Sequence, residues 1–348
     1  MTGPSGQQDD GSRSEGWAGS PRLDPGSYDC VIVGGGPAGL SAALMLGRCR
    51  RRVLVCDTGE GRNRWSHGVH CFLTRENTAP EELRRLARDQ LAPYGTVELC
   101  DRRVVDASRG PAGFELRAAD GARLQARRLL LATGVVDELP AVPGLAELYG
   151  RSVHHCPYCD GWEWRDQPVA VWGRGEHGAG LAESLTVWTR DLVLCTDGGA
   201  EPTPEARYRL ESLGIQVRTE RIERLEGRDG LLERILFEHG SAERRRALFF
   251  SAGQHQASEL PAKLGCRFTH HGAVDTGKCE ATDVPGLYVC GDASREAQFA
   301  IVAAAEGAEA GMAINKSLLE EDIAPLVSPA LDPQNRNSNP NRISLGGP

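Results

Sequence analysis

Short apolar runs alternate with glycine-rich turns and helical segments over most of the chain. Residues 28–33 form an apolar run that predicts a buried strand, and residues 52–56 form a second one. Between them lie a glycine-rich turn at residues 34–39 and a helical pattern at residues 40–46. The order strand, turn, helix, strand predicts a βαβ unit, in which the two strands are parallel neighbours.

The same order recurs later in the chain. An apolar strand at residues 169–172 precedes a second glycine-rich turn at 173–178, a helix to about residue 189 and a strand at 192–195. Two such units predict an α/β fold with two Rossmann-like, three-layer nucleotide-binding domains. Further apolar runs predict strands at residues 128–134, 247–250 and 287–292, and an alanine-rich helix from about residue 297 to residue 319.

The first turn has the pattern GxGxxG at Gly34, Gly36 and Gly39. In such a turn the first glycine permits the bend, the second lets backbone N–H groups approach a pyrophosphate, and the third lets strand and helix pack closely. Asp57 lies 23 residues after Gly34, at the end of the second strand, where a ribose-binding carboxylate belongs. The first unit therefore predicts dinucleotide binding.

Two cysteines separated by two residues, Cys156 and Cys159, form a CxxC motif before the second unit. Such a pair can close and reopen a disulfide, so it can store and deliver two electrons. The same spacing is also half of a zinc site. The glycine turns on both sides favour a redox role, and the other cysteines have no spacing that predicts a metal cage.

Composition and charge exclude several classes of protein. The net charge of −8, from 40 basic and 48 acidic residues, argues against a nucleic-acid partner. The chain has no run of about 18 apolar residues, so no membrane span is predicted. Residues 1–27 have no apolar core of the kind a signal peptide needs, which predicts a cytoplasmic protein. Residues 1–27 and 321–348 have the polar, glycine- and proline-rich composition of disordered tails.

Four separated motifs resemble the low-molecular-weight thioredoxin reductase family of FAD-dependent pyridine nucleotide-disulfide oxidoreductases. They are Gly34-Gly35-Gly36-Pro37-Ala38-Gly39, Ala132-Thr133-Gly134, Cys156-Pro157-Tyr158-Cys159-Asp160-Gly161 and Gly291-Asp292. The resemblance implies a discontinuous FAD-binding domain made of residues 28–148 and 252–320. It implies that residues 149–251 form an inserted NAD(P)-binding-like domain that carries the CxxC motif, and that the protein is a homodimer.

The resemblance also implies roles for individual residues. Cys159 would face the flavin, Cys156 would exchange with the substrate sulfur, and Asp160 would give and take the proton of the leaving thiolate. The residues implied to bind FAD are Gly34, Gly36, Pro37, Ala38, Gly39, Asp57, Asn63, Thr133, Gly134, Gly291, Asp292 and Gln298.

One departure from the family concerns the second glycine turn. Members that use NADPH have a His-Arg-Arg sequence at the end of the next strand, and its arginines neutralise the 2′-phosphate. This chain has Thr196-Asp197-Gly198 at that place. A carboxylate repels a phosphate and offers it no donor. The second domain is therefore expected either to bind NADH, with Asp197 on the ribose hydroxyls, or only to present the CxxC motif.

Three functions stay open at this point. The missing arginines and the aromatic Tyr158 favour a dithiol oxidase that passes electrons from small-molecule dithiols through FAD to oxygen. In these two features the chain resembles the disulfide-forming enzymes of gliotoxin, holomycin and romidepsin biosynthesis. The second function is an NAD(P)H-dependent disulfide reductase acting on a thioredoxin-like protein, and the third is a non-catalytic flavin-binding regulator. His154 and His155 precede the motif, where an imidazolium would lower the pKa of Cys156.

Overall fold

Two sheets with helices on their faces organise the chain in a computed structural model, which describes residues 27–251 and 253–331. The strands are β1 Ser27–Val33, β2 Val53–Cys56, β3 Val97–Cys100, β4 Val104–Gly110, β5 Gly113–Ala118, β6 Arg123–Leu131, β7 Val135–Glu138, β8 Val153–His154, β9 Val169–Trp172, β10 Leu192–Cys195, β11 Gln216–Arg218, β12 Ile222–Arg228, β13 Leu231–Phe237, β14 Ala242–Glu243, β15 Ala247–Phe250, β16 Gly253–Gln256 and β17 Leu287–Val289. The α-helices are α1 Pro37–Arg48, α2 Pro80–Leu91, α3 Leu145–Leu148, α4 Pro157–Asp160, α5 Gly175–Leu185, α6 Pro204–Ser212, α7 Leu260–Lys263 and α8 Ala300–Leu331.

The first sheet has β1 at its centre, in the order β3-β2-β1-β6-β5-β4. The first half of β6 pairs antiparallel with β5, and its last residues pair parallel with β17. Val31 and Val33 belong to the core on one face of the sheet, whereas Cys30 and Ile32 belong to the core on the other. Because both faces are covered, β1 has an almost uninterrupted apolar sequence.

The second sheet has five parallel strands in the order β11-β10-β9-β15-β8. Its central strand is again buried on both faces. Ala170 and Trp172 pack with residues of the antiparallel strands β12 and β13. Val169 and Val171 pack with residues of α5 and α6. The sheet and its two covering layers form the three-layer arrangement predicted from the sequence.

The chain passes between the two sheets through β7 and returns through β16. These two strands pair with each other in antiparallel register, with Val136 opposite His255. All strands of the second sheet lie between them in the sequence, so the first sheet takes strands from both sides of the second. The predicted α/β fold class with two Rossmann-like units is confirmed.

The last helix differs from the prediction at both ends. The sequence predicted a helix from about residue 297 to residue 319 and a disordered tail from 321, but α8 continues to Leu331. The prediction was wrong for residues 321–331 because Asp322 is buried and accepts hydrogen bonds from Arg51 and Arg127, each over 2.6 Å. Ser27, predicted to belong to the other tail, lies in β1. The rest of both predicted tails, residues 1–26 and 332–348, lies outside the described residues.

Candidate active site

The turn between β1 and α1 leaves space at the start of the helix. Gly34 has a φ of 112°, and a Cβ there would lie 2.1 Å from the carbonyl oxygen of Ala132. A Cβ at Gly39 would lie 1.9 Å from the carbonyl oxygen of Gly34, so both glycines permit close backbone packing. A Cβ at Gly36, which precedes Pro37 at the start of α1, would meet no described atom within 4 Å beyond its chain neighbours. The helix N-terminus therefore faces an open space suited to phosphate.

Asp57 follows β2 and lies against this turn. A Cβ at Gly35 would lie 2.5 Å from its carboxylate. Arg84 and Arg88, one turn apart on α2, donate to Oδ2 over 2.7 Å and 2.8 Å. Burial opposes ionisation of Asp57, but Arg84, the N–H groups of Gly35 and Gly59, and Arg88 together lower its pKa. The carboxylate is ionised at neutral pH, and its contact with a ribose stays a prediction.

Two further turns complete the cradle around the start of α1. Gly291 has a φ of 76°, and a Cβ there would lie 3.1 Å from Cβ of Ala38, so the turn after β17 packs on the helix. The Oγ1 atom of Thr133, after β6, is buried and has no hydrogen-bond partner among the described residues. A buried hydroxyl without a partner needs a ligand or water to satisfy it. The open space at Gly36 and this hydroxyl both fit a flavin dinucleotide.

Arg62 connects several of the predicted cofactor residues. It lies with Asn63 in the 3₁₀ turn Arg62–Trp65. Its guanidinium donates to Asp137 over 2.8 Å, to Asp292 over 2.9 Å and to Oε1 of Gln298 over 2.6 Å. Burial opposes ionisation of Asp137, but its hydrogen bond with Arg62 lowers the pKa of this carboxyl. Asp292 and Gln298 thus meet at one cation.

The CxxC motif follows β8 and includes α4. Cys156 and Cys159 form a disulfide with their Cα atoms 5.3 Å apart, and Sγ of Cys156 accepts the N–H of Cys159 over 3.1 Å. Oδ1 of Asp160 lies 3.3 Å from Nδ1 of His154. Trp164 donates its indole N–H to Nε2 of His154 over 3.0 Å. Since Nε2 accepts the indole N–H, Nδ1 is the ring nitrogen that donates toward Asp160.

His155 joins the CxxC motif to the Arg62 network. Its Nε2 lies 3.3 Å from the Arg62 guanidinium, and its Nδ1 lies 3.0 Å from the hydroxyl of Tyr149, which donates to Asp137 over 2.9 Å. Arginine only donates, so Nε2 accepts and Nδ1 bears the proton. Burial lowers the pKa of His155, and Arg62 adds to the effect. The lowered pKa favours the neutral ring at His155 over the imidazolium that would lower the pKa of Cys156.

The second glycine turn, between β9 and α5, has a backbone donor paired within the chain. As at Gly36 in the first turn, a Cβ at Gly175 would meet no described atom within 4 Å beyond its chain neighbours. The N–H of Gly175 donates to the carbonyl oxygen of Ala200 over 2.7 Å. The side chain of Arg174 lies across the following loop, where a Cβ at Gly199 would be 2.3 Å from it. The same guanidinium lies 3.4 Å from Oδ2 of Asp197. A backbone donor that a phosphate would use is therefore already occupied.

Negative charge also surrounds the second turn. Oδ1 of Asp197 accepts the N–H of Ile222 over 2.8 Å, which fixes this carboxylate at the end of β10. Glu176 lies in the first turn of α5 and accepts the hydroxyl of Thr203 over 2.6 Å. Both carboxylates oppose an anion at this place, and Arg174 beside Asp197 and Arg209 beside Glu176 offset part of this charge.

The structure brings some predicted site residues together and separates others. Asp292, Gln298 and the CxxC segment share one network through Arg62 and His155, whereas Asp57 belongs to a separate network with the arginines of α2. Gly134 has a φ of 70°, and its carbonyl oxygen accepts the N–H of Ala257 over 3.1 Å.

Sequence reasoning missed Asp137 and Tyr149 altogether. Neither residue belongs to the four motifs. Only the position of Asp137, three residues after Gly134, could have pointed to it.

Three observations bear on metals, membranes and thiols. Within residues 27–251 and 253–331, no three histidine, cysteine or acidic side chains are grouped so as to hold a metal ion. No helix in that part of the chain combines the length and apolar character needed to cross a membrane. Nine of the eleven cysteines have free thiols, the other two being Cys156 and Cys159.

The chain is similar to known proteins over most of its length. A family model described as pyridine nucleotide-disulphide oxidoreductase matches residues 28–307. Thioredoxin reductase aclD of Aspergillus oryzae is 30% identical over 316 residues, which are 85% of this chain and 98% of that protein. The crystal structure of HlmI is 33% identical with a TM-score of 0.84, covering 89% of this chain and 98% of that one. A putative thioredoxin reductase TrxB from Bacillus anthracis is 33% identical with a TM-score of 0.81, covering 84% and 99%.

This chain therefore belongs to the pyridine nucleotide-disulphide oxidoreductase family, and the predicted resemblance to thioredoxin reductase-like members is confirmed. It is a flavoprotein oxidoreductase, and the family implies FAD as its cofactor. The predicted enzyme class is confirmed, which removes the non-catalytic alternative.

Proposed function

We propose that this chain is an FAD-dependent dithiol oxidase whose Cys156–Cys159 disulfide oxidises a small-molecule dithiol, with oxygen as the final electron acceptor. The observation that carries this proposal is the second glycine turn. There the chain's own groups occupy or repel what a nicotinamide dinucleotide would bring.

Each phosphate of such a nucleotide meets an obstacle. A pyrophosphate would have to replace the carbonyl oxygen of Ala200 on the N–H of Gly175, and it would lie near Glu176. The 2′-phosphate of NADPH would also meet Asp197 in place of an arginine. Like charges brought together cost several kcal/mol. NADH lacks the 2′-phosphate, which favours it over NADPH. Its pyrophosphate would still have to replace Ala200 on the N–H of Gly175 and would still lie near Glu176.

The surface beside the disulfide supports a small apolar substrate. Tyr158, between the two cysteines, is 68% exposed, and Trp162 is 64% exposed. The Tyr158 ring stands edge-on to Trp188 with the ring centroids 5.8 Å apart. Exposed aromatic rings of this kind offer a large apolar contact area to a ligand. They would serve an apolar small-molecule dithiol as the proposed substrate, and the same rings would also suit a thioredoxin-like protein.

The proposed exchange has two steps at the CxxC motif. One substrate thiolate attacks Sγ of Cys156, and Cys159 leaves as a thiolate. The second substrate thiolate then attacks the substrate sulfur of the mixed disulfide, so that the product disulfide departs and Cys156 leaves as a thiolate. Asp160, held by the Nδ1–H of His154, is placed to take up and pass on a substrate proton. The substrate loses two electrons and two protons.

The cofactor cradle would hold FAD with residues from three segments. The phosphates would lie at the turn before α1, and Thr133, Asp292 and Gln298 would contact other parts of the cofactor. When bound, FAD supplies the two-electron acceptor that restores the disulfide and delivers the electrons to oxygen. The neutral His155 and Arg62 hold the CxxC segment against this end of the cradle.

Anaerobic mixing of the FAD-loaded enzyme with electron donors tests the direction of electron flow. We expect the flavin absorbance to fall after mixing with dithiothreitol and to stay unchanged after mixing with NADPH or NADH. Admission of air should then consume oxygen and form hydrogen peroxide, with one dithiol oxidised per oxygen molecule. Rapid bleaching by either nucleotide would identify an NAD(P)H-dependent disulfide reductase instead.

Cysteine variants test the role of the disulfide. Cys156→Ser and Cys159→Ser should each lower dithiol turnover by at least about 10³-fold, since loss of a nucleophile removes the covalent route. Flavin content should stay at the wild-type level. Cys49→Ser is the matched control, because this free thiol caps the far end of α1, and its turnover should be unchanged.

The proposal includes a cytoplasmic homodimer. Free thiols at nine of eleven cysteines are typical of a reducing compartment. Ile301, Met312 and Leu319 are exposed on α8, and their spacing places them on one face of the helix. Sedimentation equilibrium should give a dimer for the wild type and a weaker dimer for Met312→Lys. A wild-type monomer at micromolar concentration would contradict the dimer.

A further inference from the structure

A second pair of thiols lies next to Asp57. Cys56 ends β2 and Cys100 ends β3, and the two residues are direct partners in the parallel register of the strands. Their sulfur atoms are 3.5 Å apart. Neighbouring strands are separated by about 4.8 Å, which lies within the Cα separation that a disulfide accepts. The N–H of Asp57 donates to the carbonyl oxygen of Cys100 over 3.0 Å, which ties the pair to the cofactor cradle.

The two thiols differ in exposure and in acidity. Cys56 is 2% exposed, whereas Cys100 is partly exposed. Its hydrogen bond with Cys56 lowers the pKa of Cys100, and the nearby Arg102 adds to this effect. The same bond and burial raise the pKa of Cys56. A partly exposed thiol of lowered pKa beside a buried second thiol is the arrangement found in cysteines that react with peroxide and are then resolved.

We propose that Cys56 and Cys100 form a second disulfide when the enzyme meets hydrogen peroxide. The Cys100 thiolate attacks one peroxide oxygen, the O–O bond breaks, and the products are a sulfenic acid and, after protonation, water. The Cys56 sulfur then attacks the Cys100 sulfur, the S–OH bond breaks, and the hydroxyl leaves with the Cys56 proton as a second water. The two cysteines lose two electrons, and the peroxide is reduced to two water molecules.

The new bond would join β2 to β3 one residue before Asp57. An oxidase that makes peroxide would thus modify its own cofactor-binding domain as its product accumulates. This role as a product sensor rests on the proposed function, but formation of the disulfide requires only added peroxide. The two ideas can therefore fail separately.

Mass spectrometry of the full-length, FAD-loaded protein tests the proposal. A Cys156→Ser background removes turnover and the redox disulfide, so any new disulfide owes nothing to the oxidase reaction. The protein is treated with hydrogen peroxide, its remaining thiols are alkylated with iodoacetamide under denaturing conditions, and it is digested without reductant. We expect the Cys56 and Cys100 peptides to be linked, two hydrogen masses lighter than their sum, and to separate on addition of dithiothreitol.

Variants in the same background separate the two steps. Cys56→Ser should stop the reaction at the sulfenic acid, so that dimedone labels Cys100 several-fold more than in the parent. Cys100→Ser should leave Cys56 free for alkylation, and Cys49→Ser should leave the linked peptide unchanged. If a variant does not fold, as judged by circular dichroism, the linked peptide of the parent decides the matter. Oxidation of Cys100 to a sulfinic acid without a link would overturn the proposal, as would two thiols that stay free.

Discussion

The two glycine turns share a sequence pattern, a backbone arrangement and open space at the middle glycine, yet they differ in the loop beside the helix. In both, the third glycine packs on the first. A Cβ at Gly39 would lie 1.9 Å from the carbonyl oxygen of Gly34, and one at Gly178 would lie 2.4 Å from the carbonyl carbon of Gly173. The pattern thus reports close packing of strand and helix in both units.

The difference lies in the loop after the next strand. In the first unit this loop carries Asp57, which two arginines hold beside the turn. In the second unit it turns back, so that Ala200 takes a backbone donor and Arg174 lies across Gly199. Glycine spacing alone therefore leaves open whether the backbone donors are free, because the neighbouring loop can pair with them.

The largest expected effect comes from placing a carboxylate at the start of each helix. Gly36 precedes α1 and has extended backbone, and a side chain there meets open space, so Gly36→Asp should fold. Its charge should repel the FAD phosphates, and we expect FAD affinity to fall on the order of 10³-fold, since like-charge contacts cost several kcal/mol. Flavin fluorescence titration of the apoprotein measures this affinity.

Arg174→Asp is the matched control in the second unit. Arg174 also precedes its helix with extended backbone. We expect FAD affinity and dithiol turnover to be unchanged. An equal loss of FAD affinity in both variants would contradict binding of the FAD phosphates at the first turn alone.

Helix α8 stabilises the first unit, and the described chain has no such helix on the second unit. Asp322→Ala removes the buried carboxylate that Arg51 and Arg127 share, which leaves Arg51 without its ion pair, whereas Arg127 keeps Asp29 and Glu321. We expect the free energy of unfolding to fall by about 3 kcal/mol, as for other broken buried ion pairs. Glu321→Ala removes a half-exposed partner of Arg127 and Arg128 and should cost about 0.5 kcal/mol. Urea denaturation of both variants checks this, and equal losses would contradict the assigned role of Asp322.

Two glycines of α5 test whether the second turn requires close packing of strand and helix. Gly178→Ala should lower the free energy of unfolding by about 2 kcal/mol, because the added methyl group must displace backbone. Gly180 is exposed on the same helix with open space around it, so Gly180→Ala should raise stability by about 0.5–1 kcal/mol. Thermal unfolding measures both. A neutral Gly178→Ala would show that the turn is looser than the structure indicates.

The smallest expected effect concerns the pH dependence of the first unit. The pKa of Asp57 is lower in the folded than in the unfolded chain. Its ionisation therefore stabilises the fold at neutral pH, and this contribution is lost as the pH falls below about 4 and through the folded pKa. The difference in unfolding free energy between wild type and Asp57→Asn should shrink on acidification, as urea denaturation at several pH values would show. A constant difference would argue against an ionised Asp57 in the fold.

Much of the fold was predictable because buried strands have a distinctive sequence. The predicted strands at residues 169–172, 192–195 and 247–250 agree with β9, β10 and β15. The end of α8 was not predictable, since polar residues at 321 and 322 read as a tail until their arginine partners are known. These partners lie more than 190 residues away along the chain.

The candidate site divides in the same way. The CxxC motif and the first glycine turn depend on local spacing, so the sequence revealed them directly. The network of Arg62 with Asp137, Tyr149 and His155 depends on contacts across the two sheets, and no local pattern marks it.

The sequence by itself determined where the two nucleotide-type units lie, where the CxxC motif is and which family the chain resembles, because strand burial, glycine turns and the CxxC spacing are short-range properties. The tertiary structure alone decided that a backbone donor of the second turn is paired within the chain, that burial lowers the pKa of His155, and that Cys56 and Cys100 are neighbours. These features arise when distant segments meet, and burial and charge at such meetings have no counterpart in the order of residues.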